Sequence, residues 1–320
     1  MEPVNLLILA ALLAQAGPAG EWQTLATTNN PAKRYENAYV RAGGKFYLVG
    51  GRFDRPAQAF NPEDNTWTTG ARPPFQIHHF QAVEVDGLIY AVGAFTDNYP
   101  KEKGIENVYT YDPKADEWKK GPEIPAGRRR GAAGAAAWQG KIYVAGGIVG
   151  GHGPHAKCQA WLDEFDPATG KWTPLPDAPR ARDHFPAAVA GGRLYALGGR
   201  DSGGTWKFFS QTIREVDAYD FSTGKWSTLP EVLPTGRAAP AAAVLGNEIL
   251  VMGGESDQPK AHADTEALDV TKNTWRALAP LKQGRHGTQA IVWKDRVYLA
   301  AGSKTRGESE IDSQEVFVLK

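Results

Sequence analysis

An apolar run that closes on small residues returns six times along the chain. It reads Tyr47-Leu-Val-Gly-Gly51, Tyr90-Ala-Val-Gly-Ala94, Tyr143-Val-Ala-Gly-Gly147, Tyr195-Ala-Leu-Gly-Gly199, Leu250-Val-Met-Gly-Gly254 and Tyr298-Leu-Ala-Ala-Gly302. Each run is short and nearly continuous in apolar residues, the pattern of a strand covered on both faces. Between the runs a tryptophan recurs, at Trp22, Trp67, Trp118, Trp172, Trp226 and Trp275, with a period of roughly fifty residues. Self-similarity at this period predicts an all-β fold in which small sheets repeat around an axis, here a six-bladed β-propeller.

The third repeat shows the unit. Arg130-Gly-Ala-Ala-Gly-Ala-Ala-Ala-Trp138 is small and smooth, as an innermost strand crowded around an axis must be. Gln139-Gly140 is a two-residue turn, and residues 141–147 form the covered second strand. A long polar loop precedes a third strand over 160–165, and an Asp-Pro-Ala-Thr-Gly turn leads to the outer strand around Trp172. The glycine pair allows backbones of neighbouring blades to approach closely. The last repeat has an innermost strand over 286–292, a second over 297–301 and a third over 314–319, but no tryptophan strand, whereas Glu21-Trp-Gln-Thr-Leu25 is a tryptophan strand without a repeat before it. The N-terminal strand is therefore expected to complete the last blade, with Trp22 beside Phe317, which removes an exposed sheet edge.

Six such repeats account for residues 20–320 as one propeller domain. Residues 6–14 are apolar but too short to span a bilayer, and Ala14-Gln-Ala16 followed by Gly17-Pro18 suits signal-peptidase cleavage, although Glu2 stands where a Lys or Arg is usual. Residues 1–19 are read as a signal peptide and the mature chain as a secreted or periplasmic monomer without a membrane anchor. Lys+Arg and Asp+Glu are equal at 36 each, which leaves no net field for nucleic acid. The single cysteine, Cys158, excludes an internal disulfide.

Functional residues are expected on the face that carries the long connections, roughly 52–55, 95–105, 148–157, 200–212, 255–262 and 303–313. Aligned innermost strands put Arg34, Arg130, Arg182, Arg237 and Arg285 at one position, with Ile77 in the second repeat. Arg52 and Arg200 follow glycine pairs and are expected in the same funnel. Guanidinium groups grip oxyanions in bidentate geometry, so these seven, with His286 and Trp206, are the expected ligand-binding residues. The alternative is that the arginines bridge loops or pair with acids such as Asp183. Glu255 stands among the arginines as a candidate base, or else in an ion pair with Arg237 or Arg285. His79 and His184 coincide when Gln76-Ile-His-His-Phe80 is aligned with Arg182-Asp-His-Phe185. Glu255, His79 and His184 are the expected proton-transfer residues. His152, His155 and Cys158 suit zinc or copper by type, and Glu255, Asp257, His262 and Asp264 form a loose set of hard donors. Both groups read better as solvated loop residues, so no metal and no cofactor is expected. Trp206, Phe208, Phe209, Phe95 and Tyr99 lie in long loops, where aromatics beside arginines suit sugar rings.

The Tyr-x-x-Gly-Gly, Tyr-Asp and Trp pattern over residues 21–320, with phrases such as Phe165-Asp-Pro-Ala-Thr-Gly-Lys-Trp172 and Thr235-Gly-Arg237, resembles the Kelch repeats of exported bacterial proteins. Among these is the sialic-acid mutarotase family, and that resemblance implies a sugar-acid site of arginines with an acid, for which Glu255 is the nearest match. Galactose oxidase is similar in its repeats, but its seven blades, its Tyr-Cys crosslink and its adjacent Tyr-His copper ligands have no counterpart here. The iron motif of plant specifier proteins is also missing. The expected function is binding of a small anionic carbohydrate, of uronate or sialate type, with proton-transfer chemistry open. The competing expectation is a protein-interaction module that reads an acidic peptide through funnel arginines, as animal Kelch adaptors do.

Overall fold

The computed structural model describes residues 19–204 and 207–319. Six antiparallel four-stranded sheets stand around one axis. The first blade runs Asn37–Ala42, Lys45–Gly50, Gln58–Asn61 and Thr66–Thr69 from the axis outward. The second runs Val83–Val85, Leu88–Ala91, Asn107–Asp112 and Glu117–Glu123; the third Gly134–Trp138, Lys141–Ala145, Leu162–Asp166 and Lys171–Leu175. The fourth is Ala187–Ala190, Arg193–Ala196, Asp217–Asp220 and Lys225–Thr228, and the fifth Ala241–Leu245, Glu248–Met252, Thr265–Asp269 and Thr274–Leu278. The sixth joins Ala290–Trp293, Arg296–Ala300 and Gln314–Val318 to the N-terminal strand Glu21–Thr24. The register of that closing pair sets Trp22 opposite Phe317, as expected. Each innermost strand packs on its two neighbours and the sixth packs on the first, so the ring is closed. The leader expected over residues 1–19 lies, but for Ala19, outside the described residues.

Two repeated devices hold the blades together. The first is the glycine pair. Gly146 has φ +60°, and a Cβ there would lie 2.5 Å from the carbonyl oxygen of Arg182 in the next blade, so the position is closed to any other residue. Its neighbour Gly147 donates its N–H to that same carbonyl at 2.8 Å. The second is the outer tryptophan, whose indole N–H reaches the preceding blade: Trp22 to Thr265 Oγ1 at 3.1 Å, Trp67 to Gln314 Oε1 at 3.1 Å and Trp226 to the Pro176 carbonyl at 2.8 Å.

The innermost strands start later than their sequence suggests, at Gly134 rather than Arg130 and at Ala290 rather than His286. The cause is a turn at the axis. Glu36, His79, Ala132, His184, Ala239 and Gly287, one per blade, all take left-handed φ between 48° and 68°. Their peptides form a ring in which the N–H of one blade donates to the carbonyl of the preceding one. The links run from His79 to Glu36 at 2.9 Å, Ala132 to His79 at 2.8 Å, His184 to Ala132 at 3.0 Å, Ala239 to His184 and Gly287 to Ala239 at 3.1 Å; Asn37 closes the circle on Gly287 at 3.1 Å. Five side chains are thereby aimed at the axis, Gly287 having none, and three of them are Glu36, His79 and His184.

Candidate functional site

The arginines of the innermost strands do not line the funnel, which corrects their expected role as ligand contacts. Arg34, Arg130, Arg182, Arg237 and Arg285 are buried, each turned into its own blade. Arg130 meets Asp163 at 2.8 Å, Arg182 meets Asp217 at 2.5 Å, Arg237 meets Glu266 at 2.9 Å and Arg285 meets Glu315 at 2.5 Å. Arg34 donates to the neutral Gln58 at 2.6 Å. The partner stands on the third strand, two residues before the residue that pairs with the outer tryptophan. In the second blade the corresponding residues are Ile77, in the core, and Tyr109, packed partly buried against it, and neither is charged. A guanidinium that has left water must be matched close at hand, and the third strand supplies an acid in blades three to six and the Gln58 side-chain carbonyl in the first.

The residues that do converge come from the axis turn and from the loops above it. His79, His152 and His184 form a triangle with ring centroids 5.0–5.1 Å apart, all three buried. His152, on the loop after the third blade's second strand, approaches His184 with its Nε2 3.2 Å from the other Nε2. Outside the triangle each Nδ1 is held: His152 by Glu102 Oε2 at 3.0 Å, His184 by Asp183 Oδ1 at 2.5 Å and His79 by His78 Nδ1 at 2.5 Å. Burial, with Arg52 close by, drives His79 well below the ordinary histidine value; burial and Arg200 lower His184 against the pull of Asp183. One nitrogen from each ring lies within 4.8 Å of the others, which makes the three a set able to hold a metal ion. The alignment of His79 with His184 thus has a counterpart in space, while Glu36, Glu102 and Asp183 were not singled out as site residues by sequence. Glu36 shares the alignment position of His79 and His184, a signal that could have found it.

Beside the triangle lies a charged relay. Glu255 accepts from Arg200 Nη1 at 2.6 Å and from the Gly307 N–H at 2.9 Å. Its ion pair is therefore with Arg200, not with Arg237 or Arg285. His286 Nε2 stands 3.3 Å from Glu255 Oε2, and its Nδ1 stands 3.5 Å from Glu36 Oε1. Burial works against a charged His286 ring, but the carboxylates of Glu255 and Glu36 outweigh it and raise it to about 8. Burial likewise opposes the ionised carboxylates, yet His286 holds Glu36 at about 2, and His286 with Arg200 lowers Glu255. Near neutrality His286 is a cation between two anions.

Above this floor opens a cavity of about 380 Å³. Its walls include Tyr35, Tyr99, Phe208 and Phe209, and Arg52, Arg200, His79, His152 and Glu255 reach it from below. Arg200 lies 4.7 Å under the Phe208 ring and 5.1 Å from Phe209, and Arg52 pairs with Glu102 at 2.7 Å. Trp206 lies outside the described residues. The loop set of His152, His155 and Cys158 is split apart: His155 is exposed, and Cys158 Sγ donates to Asp183 Oδ2 at 2.8 Å, where burial and that carboxylate push its thiol up. His262 is held locally by Ser256 at 2.8 Å and Asp264 at 3.2 Å, away from Glu255.

Residues 79–302 match the KLHDC2/KLHL20/DRC7 Kelch-repeats domain family. The chain belongs to this Kelch family. The Kelch-like protein terF of Aspergillus terreus is 30% identical over 308 residues, which cover 90% of this chain and 66% of the fungal protein. Kelch-like protein 23 of Homo sapiens is 25% identical over 267 residues, 82% of this chain and 44% of the human protein. The chain thus spans less than two-thirds of the length of these Kelch relatives. A solved structure, that of YjhT, shares the fold with a TM-score of 0.76 at 17% identity, covering 90% of this chain and 96% of that one. The relatives correct the expectation of a secreted or periplasmic protein, because these Kelch-like proteins are fungal and mammalian, not exported bacterial ones. That expectation rested on the apolar stretch and Ala14-Gln-Ala16 in residues 1–19 and on the resemblance to exported Kelch repeats; the Gly-Gly and Trp pattern of the repeats is imposed by blade packing, whatever compartment the propeller occupies.

Proposed function

We propose that the funnel of this Kelch propeller is a small-molecule site for a compact carboxylate-bearing carbohydrate of the uronate or sialate class. The observation that carries this reading is a cavity of about 380 Å³ with aromatic walls over two guanidinium groups. That size and lining suit a ligand of one or two sugar rings better than a protein segment. Arg52 spends Nη2 on Glu102, and Arg200 spends Nη1 on Glu255 and Nε on Ser202. Among the described residues their other N–H groups have no hydrogen-bond acceptor, so both retain donors for an oxyanion. Glu255 at the cavity wall can take the anomeric hydroxyl proton of a bound uronate while a solvent water protonates the ring oxygen; the C1–O5 bond then opens, and reversal of both proton transfers after rotation about C1–C2 closes the ring as the other anomer. A module reading acidic peptides would draw on the innermost-strand arginines, and these are already paired inside the blades.

Calorimetric titration of glucuronate, galacturonate and N-acetylneuraminate, against neutral glucose as control, tests the reading. At least one acid is expected to bind and glucose not to. Arg52→Gln removes one charged hydrogen bond, of about 1.5–3 kcal/mol, and is expected to weaken the acid roughly 10- to 150-fold. Proton-transfer chemistry is read by one-dimensional NMR of anomer exchange, with Glu255→Gln as the inactive control. Binding of an Asp/Glu-rich peptide but of no acidic sugar would overturn the proposal.

A further inference from the structure

We propose that His79, His152 and His184 form a binding site for a divalent transition-metal ion of the zinc type, seated on the propeller axis at the floor of the funnel. The argument is one of proton positions. His152 Nδ1 faces a carboxylate, Glu102, and must carry its hydrogen there; His184 Nδ1 does the same toward Asp183. His78 Nε2 donates to the Asp97 carbonyl at 2.8 Å, so a neutral His78 presents a lone pair at Nδ1, and His79 Nδ1 is the donor in their contact. All three rings therefore turn an unprotonated Nε2 away from their anchors. Two of these, on His152 and His184, face each other at 3.2 Å. Two lone pairs at that distance repel unless a cation lies between them. His79 Nε2 is directed in the same way toward Glu36 Oε2, 3.6 Å off, another group with no hydrogen to give.

The dimensions fit an ion. Nitrogen ligands about 2.0–2.1 Å from a tetrahedral zinc stand roughly 3.3 Å apart, close to the His152–His184 separation. The outer partners fit too, since metal-bound imidazoles commonly give their second N–H to a carboxylate. Both carboxylates are themselves fixed: Glu102 by Arg52 and the His152 backbone N–H, Asp183 by the hydroxyl and backbone N–H of Ser202. Two guanidinium groups and the His286 imidazolium stand among four buried carboxylates, Glu36, Glu102, Asp183 and Glu255, a surplus of anions that favours an added cation. Three imidazoles select zinc and its transition-metal neighbours over magnesium or calcium, which prefer oxygen. His79 and His152 line the funnel cavity, so the remaining coordination position opens toward it, where a water or a ligand oxygen can bind.

The test uses the full chain without a histidine tag, stripped with a chelator and titrated with cobalt(II), then with zinc(II). The expected result is one ion per chain by calorimetry, with visible ligand-field bands of low-coordinate cobalt that zinc abolishes. His152 is on a loop outside the blades, so His152→Ala is expected to keep one cooperative unfolding transition, at a temperature lowered by the lost bond to Glu102, and to weaken cobalt binding by more than about 100-fold. Glu102→Gln is expected to weaken it roughly 10- to 100-fold, the usual effect of losing an outer partner. His155→Ala, on the same loop but exposed, is expected to bind as wild type. A wild-type chain without cobalt bands, whose facing imidazoles are then bridged by a proton alone, overturns the proposal, as does His152→Ala binding that equals wild type. No sugar is present in these titrations and the sugar titrations are run on the metal-free chain, so each reading fails separately.

Discussion

The innermost-strand arginine that five of the six blades carry is a structural element, and Arg237→Ile tests that directly. Arg237 is fully buried, its Nη2 lies 2.9 Å from Glu266 Oε2 and donates to the Val251 carbonyl at 3.0 Å, while Nε and Nη1 have no hydrogen-bond partner among the described residues. Replacing it by isoleucine leaves Glu266, 7% exposed, as a buried carboxylate with only Thr235 donating to it. Breaking a buried pair from one side costs about 3–5 kcal/mol, a large share of the roughly 5–15 kcal/mol that holds a typical domain folded. For a propeller of this size that is a fall in melting temperature of roughly 5–8 °C. The second blade supplies the rescue, because Ile77 and Tyr109 stand at the same two positions without charge. Arg237→Ile with Glu266→Val is therefore expected to recover most of the loss. Urea unfolding followed by tryptophan fluorescence at pH 7 measures both variants. A single variant within about 1 kcal/mol of wild type, or a double variant no better than the single, would refute the reasoning.

The closing strand gives a second expectation. Trp22 is 1% exposed, its ring centroid lies 5.3 Å from that of Phe317 and its N–H bonds Thr265, so Trp22→Ala is expected to cost about 3–5 kcal/mol; thermal unfolding at the wild-type temperature would refute the latch. The third concerns pH. His286 has a folded-state value of about 8, above its unfolded 6.5, so its contribution is fully present below pH 6.5 and is lost as pH rises through 8. The difference corresponds to about 2 kcal/mol. Stability measured by urea unfolding is expected to decline by that amount between pH 6 and pH 9, and the His286→Gln variant is expected to lack this decline.

The sequence by itself determined the number of blades, their strand order and the pairing that closes the ring. Those properties are local or periodic: an apolar run must be covered on both faces, a Gly-Gly pair marks a close approach of backbones, and a tryptophan strand lacking a sheet must find the sheet lacking a tryptophan strand. The positions of the arginines were legible for the same reason, but not their direction. Direction depends on an acid some thirty residues onward in the third strand, at Asp163, Asp217, Glu266 and Glu315, and that pairing showed only once the strands were in register. The signal existed in the sequence, because the one repeat with Ile77 in place of arginine also has an uncharged residue, Tyr109, in place of the acid. The histidine triangle could not be reached in that way. His79 and His184 share an alignment position, but His152 belongs to a loop whose length and course have no periodicity. What brings the three together is the ring of left-handed turns, which aims the side chains of the first five blades' turn residues at the axis, and the height at which the loop crosses above it. Only the tertiary structure decides which charges share a buried space, because burial and proximity around a closed ring are properties of all six blades at once.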